Sequence, residues 1–140
     1  MRAQTLLQCA LALLPLGACA GGVGDVRLRD EIAATTPVCL EGPDCDAQWR
    51  AARHWVRNDA GFSIRAAEDA LIETYVGYPA QDPRLFVRVT KEAIGDGRAR
   101  IVIAASCQYD YGCIPNRWRA ELAFNRAVNA AHYPAIAAPR

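Results

Sequence analysis

Six cysteines are the side chains of this 140-residue chain whose number and spacing point most directly to covalent chemistry. They are Cys9, Cys19, Cys39, Cys45, Cys107 and Cys113. A cysteine can form a disulfide, bind zinc or act as a nucleophile. Cys39 and Cys45 are separated by five residues, as are Cys107 and Cys113. That spacing is longer than the C-x2-4-C knuckle of structural zinc sites. Four cysteines in an exported chain point to disulfides, and four allow three connectivities. Local pairing is expected, and each small loop would then contribute about 2 to 2.5 kcal/mol. Cross-pairing, for example Cys39 with Cys113, would contribute roughly 4 to 4.5 kcal/mol and remains open on sequence alone. With both bridges formed, none of these four thiols is left to act as a nucleophile.

The remaining chemistry is sparse. His54 and His132 are the only neutral-pH bases. His54 stands among Arg50, Arg53 and Arg57 and reads as a surface residue, its imidazolium disfavoured by those charges. His132 falls at the end of the last predicted helix, where a cation suits the helix dipole. Asp110, between Tyr109 and Tyr111, reads as part of a polar turn rather than a cleft acid. The chain has no G-x-S-x-G, H-E-x-x-H, P-loop or dinucleotide fingerprint. We therefore expect no catalytic site, no metal and no cofactor. A small envelope hydrolase or enzyme inhibitor is the alternative.

Residues 1–20 read MRAQTLLQCALALLPLGACA. Arg2 supplies a positive n-region, Leu6 to Leu16 an apolar run, and small residues follow, which is the layout of a secretory signal. The run is roughly half the length of a membrane-spanning helix. Leu16-Gly17-Ala18-Cys19 resembles the bacterial lipobox. The resemblance implies removal of residues 1–18 and acylation of Cys19 as the first mature residue. Each buried methylene contributes about 0.8 kcal/mol, so two or three acyl chains hold a protein where one does not. Ala20, not Asp, follows; by the same resemblance to Gram-negative lipoproteins this implies delivery to the outer membrane, facing the periplasm. The alternative is ordinary cleavage after Ala20, giving a soluble periplasmic protein. Cys9 reads as a small apolar residue discarded with the leader.

Sixteen basic and fifteen acidic residues give a net charge of +1. Without Arg2 the balance is fifteen to fifteen, or zero. A general nucleic-acid binder needs a cationic excess, so no nucleic-acid partner is expected. A hydrophobic fraction of 52% excludes a disordered chain, and the length allows one domain. Residues 19–38 read as the lipidated cysteine and a flexible, Gly-containing tether, 39–133 as a single domain and 134–140 as a tail.

Within that domain a helix is predicted from Asp44, as N-cap, to Asn58, stopped by Gly61. Strands follow at 62–66, 71–76, 85–90 and 100–107, the last apolar on both faces. Gly95-Asp96-Gly97 holds the Asp-Gly hairpin signal. A second helix starts near Pro115 and carries Trp118, Leu122, Asn125 and Val128 on one stripe, with Glu121 intruding. The expected fold is an α+β two-layer sandwich: helix, four-stranded antiparallel meander, helix, with both helices on one sheet face. The other face would carry Arg65, Glu73, Tyr75, Phe86 and Arg88, with Glu73 paired across strands to Arg65 or Arg88. Aromatic and Arg side chains dominate interface hot spots, so this face is a candidate docking surface.

The residues Cys45-x3-Trp49-x2-Ala52-x2-Trp55-Val56, Ile72-Glu73-Thr74-Tyr75, Val87-x-Val89-Thr90-Lys91-Glu92, Cys107-x5-Cys113 and Phe124-Asn125 resemble a group of small Gram-negative lipoproteins of uncharacterised function. The likeness covers about 39–129 and implies the leader, the disulfides and the fold, but no activity. The order of elements is also similar to helix-grip domains of outer-membrane assembly lipoproteins, and such an analogy carries no function. The expected role is a non-catalytic binding or assembly-accessory module, held to the membrane by its lipid and meeting an envelope protein partner.

Overall fold

The computed structural model describes residues 23–78 and 81–132. Residues 1–18, read as a leader, Cys19 and the tail read at 134–140 lie outside them. Its elements are α1 (Val23–Thr35), β1 (Val38–Leu40), α2 (Pro43–His54) running into a π-helical turn (Trp55–Asp59), β2 (Ile64–Ala67), β3 (Leu71–Thr74), β4 (Phe86–Gly95), β5 (Arg98–Ser106) and α3 (Arg117–Asn129).

Side-chain alternation sets the sheet. β5 buries Ala99, Ile101, Ile103 and Ala105 and turns Arg98, Arg100, Ala104 and Ser106 to solvent, so it is not apolar on both faces. β4 buries Val87 and Val89 and exposes Arg88. Asp96 and Gly97 join the two strands with φ of 52° and 65°, the paired left-handed conformations a two-residue hairpin requires. The sheet has five antiparallel strands in the order β1-β5-β4-β3-β2.

The α+β class holds, and the count is corrected: five strands and three helices replace four and two. β1 is three residues long, too short to show alternation, and pairs Val38 with Arg100 and Leu40 with Arg98. α1 occupies most of the segment read as a tether. Its apolar seam is narrow, with Leu28, Ile32 and Thr35 half-buried and most other positions exposed. It is held along α3 by polar contacts that periodicity does not reveal. Asn125 Nδ2 donates to Ile32 O at 3.0 Å, and Asn129 Nδ2 to Thr35 O at 2.8 Å. Arg126 pairs with Glu31 at 2.9 Å.

The N-cap of α2 falls two residues earlier than expected. Gly42, at φ 101°, is the N-cap, and Pro43 opens the helix. Asp44 is buried inside the first turn, where its Oδ2 accepts the Leu40 N–H at 2.9 Å. Gly61, at φ 68°, follows the π-helical turn and lets the chain enter β2. α2 and α3 cover one sheet face. Trp49, Ala52, Trp55 and Phe124 pack there on Ile72, Val87, Val89 and Ile101. Trp55 meets Phe124 edge-on at 5.4 Å. Each fully buried Ile, Val or Phe stabilises the fold by about 1.5–3 kcal/mol.

α3 begins after Asn116, whose Oδ1 accepts the Trp118 N–H at 2.9 Å, so Pro115 lies just outside the helix. Trp118 is only half-buried, with the Arg117 and Arg29 guanidinium groups stacked on it. Glu121 faces inward for a reason: β1 pairs with β5 only as far as Arg100. The Ala105 N–H further along is met by Glu121 Oε1 at 2.8 Å. Burial raises the Glu121 carboxyl above the usual range, partly offset by that hydrogen bond and by Arg117.

Candidate functional site

The sheet face opposite α2 and α3 is left uncovered by the described elements, and the predicted face residues gather on it. β3 alternates Leu71 and Glu73 to this face against Ile72 and Thr74 to the core, and Glu73 stands opposite Arg88 on β4. Between Ile64 and Ala66 the β2–β3 register shifts by one residue, which places Arg65 beside Glu73 as well. Arg65 Nη2 bonds Glu73 Oε2, and Arg88 Nη1 lies 3.4 Å from Glu73 Oε1. The carboxylate is nearly buried between two guanidinium groups, each side chain 54% exposed. This cluster of net charge +1 leaves guanidinium N–H donors facing outward, suited to a carboxylate or carbonyl. Glu73 is itself buried, so the two arginines also serve the fold by keeping its charge paired.

Phe86 is half-buried on the same face, opposite Ser106. Tyr75 is exposed just beyond the end of β3. Along β5 the face continues with Arg100, paired to Glu92 at 2.9 Å, and Arg98, 3.8 Å from Asp96. The Arg100 contact and the Thr90 hydroxyl lower the Glu92 carboxyl. Exposed Val38 and Leu40 of β1 border these arginines.

At the end of the sheet where β3 finishes, a cavity of about 330 Å³ is lined by Phe62, Thr74, Tyr75, Gly77, Asp82 and Arg84 among others. Asp82 is clamped by Arg84, with Nε–Oδ1 2.9 Å and Nη2–Oδ2 2.6 Å, and these bonds hold its carboxyl below the usual range. A Cβ on Gly77 would clash with the Asp82 side chain, its Cβ included, so this close approach requires glycine. Sequence reading missed the pair, although Asp82-x-Arg84 beside two prolines was its local signal.

Cys39, Cys45, Cys107 and Cys113 pair locally. Cys39–Cys45 ties β1 to the first turn of α2 and is buried, while Cys107–Cys113 closes the loop after β5 and is half-exposed. His54 is exposed, with Nδ1 3.7 Å from Asp59 Oδ2. His132 does more than end a helix: its Nδ1 lies 3.0 Å from Asp44 Oδ1 and 3.2 Å from Gln48 Nε2. Asp44 orients the ring. Gln48 and His132 stand 84 positions apart, and no sequence signal pointed to this contact. Asp110 is exposed, with Tyr109 and Tyr111 5.4 Å apart on either side. Among the described residues no group of three or more His, Cys, Asp and Glu is arranged to hold a metal ion.

Fold and site define a class: a disulfide-braced α+β layer protein with one sheet face open and charged. Comparison of the chain with known protein families, with curated proteins and with solved structures finds no match.

Proposed function

We propose that the chain is a lipid-anchored envelope protein, akin to the Gram-negative lipoproteins its motifs resemble. It acts without catalysis, as a binding or assembly-accessory module, and its open sheet face docks a protein partner. The observation that carries this reading is the uncovered face with Glu73 held between Arg65 and Arg88. Export is supported by the leader pattern and by four cysteines paired in two bridges. Anchoring rests on Cys19, and Ala20 in place of Asp supports delivery to the outer membrane, facing the periplasm, by the same resemblance.

The test places a photo-cross-linking residue at Tyr75 and, as a control, at Arg50 on the exposed side of α2. A discrete adduct is expected from position 75 and not from position 50. Arg88→Gln should abolish that adduct and shift stability by no more than about 0.5–1 kcal/mol, because Arg65 still pairs Glu73. Equal adducts from both positions, or none from position 75, would overturn the docking face. Cys19→Ala should move the protein out of the membrane fraction, and its retention there would argue against the anchor.

A further inference from the structure

Among the described residues the four most exposed large apolar or aromatic side chains are Tyr111 (88%), Ile114 (85%), Tyr78 (82%) and Tyr75 (62%). They come from two loops distant in sequence and share one end of the molecule. Tyr75 and Tyr78 follow β3; Tyr111 and Ile114 lie in and just after the disulfide loop that follows β5. β3 and β5 flank antiparallel β4 and run the same way, so both loops emerge where β4 begins. The Ile114 N–H donates to Pro83 O at 3.2 Å, and Val76, Tyr78 and Gln108 line one shallow cavity. α1 starts at this same end: Gly24, Asp25 and Leu28 face Cys113, Ile114 and Asn116 across a groove.

The path of the chain then names the occupant. Four Cα–Cα steps, across three intervening residues, separate Cys19 from Val23, the first residue of α1. Even fully extended, they span at most about 14 Å. A lipid on Cys19 therefore brings the bilayer surface to the end of the molecule that carries the exposed side chains. Tyrosine suits the headgroup layer, where its ring is apolar and its hydroxyl stays wet. Charge does not decide the matter, since Arg117 and Arg119 are offset by Asp25 and Asp110. We propose that this end is a membrane-contact face, with Tyr78, Tyr111 and Ile114 seated in the headgroup layer of the bilayer that holds the N-terminal lipid. The proposal rests on the reading of Cys19 as the lipid-bearing residue. The contact would fix how the open sheet face is presented to a partner.

The test uses the chain from Cys19 onward, which contains every described residue. With both bridges formed, Cys19 is its one free thiol. Coupling a single tetradecyl chain to that thiol gives marginal membrane binding, sensitive to any added contact. Partition is then measured into vesicles of phosphatidylethanolamine and phosphatidylglycerol. The triple variant Tyr78→Ser, Tyr111→Ser, Ile114→Ser should bind about tenfold more weakly, while Val38→Ser with Leu40→Ser on the open face should bind as the parent does. An unchanged triple variant, or an equal loss in the double variant, would overturn the contact face. Circular dichroism checks that both variants are folded. The mass of the N-terminal peptide of protein taken from cell envelopes separately tests the anchor. An unmodified Cys19 there overturns the lipidation reading, whereas the partition ratio decides the loop contact.

Discussion

Glu121 brings a carboxylate into the core because α3 crosses β5 beyond the point where β1 stops pairing. Burial raises its carboxyl, so the folded state binds a proton more readily than the unfolded chain. The sign follows from linkage. This site's stabilising contribution is complete below the ordinary Glu range and is lost as pH rises through the raised folded value. Glu121→Gln keeps an acceptor for the Ala105 N–H and removes the titration. The variant should therefore gain stability over the parent near pH 7, with the gain shrinking as pH falls toward about 4, as read by urea unfolding at both values. Glu121→Ala, which strands the Ala105 N–H, should cost about 1–3 kcal/mol at either pH. None of this was legible in the chain, where Glu121 read as a blemish on an apolar stripe. Its partner lies 16 residues away across a helix–strand contact. The Arg65–Glu73–Arg88 cluster was legible, because cross-strand pairing follows from alternation once the strands are placed.

At the level of elements, the two disulfides close loops of equal length in different surroundings. Cys39 and Cys45 are buried against the core, and Cys107 and Cys113 are half-exposed on a loop. A gentle water-soluble reductant should open Cys107–Cys113 first and leave Cys39–Cys45 intact until the fold opens. Timed alkylation with peptide mapping reads the order, and simultaneous loss of both would refute it. Replacing Cys107 and Cys113 together by Ser should cost about 2–2.5 kcal/mol, the chain-entropy contribution alone. Replacing Cys39 and Cys45 by Ala should cost more, because buried sulfur packing is lost as well. Local signals made most elements readable: the Asp-Gly turn between β4 and β5, the Gly61 stop after α2 and the alternation of β4. The missed elements lack such signals. β1 is a strand only because β5 offers it an edge, and α1 a helix held mainly by asparagine side chains of α3.

For the whole molecule, the docking of α1 changes how far the domain would stand from the anchor proposed at Cys19. Read as a tether, residues 19–38 would let it range over roughly 65 Å; with α1 folded against α3 the reach from Cys19 to Val23 is at most about 14 Å. That difference depends on a few contacts: Asn125 and Asn129 bonding the last turn of α1, Thr35 Oγ1 3.3 Å from Asn125 Nδ2, and the Glu31–Arg126 pair. The hydrogen bonds are worth about 0.5–1.5 kcal/mol each, and the exposed ion pair less. Ordering thirteen helical residues offsets part of that gain. A chain beginning at Val38 should therefore still form the sheet and both bridges, but melt about 5–15 °C below one beginning at Val23, a loss of roughly 1–3 kcal/mol. Equal melting temperatures would mean that α1 contributes nothing to the fold. Asn125→Ala in the longer chain separates docking from mere presence. It should speed hydrogen exchange across Val23–Thr35 and leave β4 and β5 as protected as before, because their hydrogen bonds belong to the sheet core and not to the α1–α3 seam.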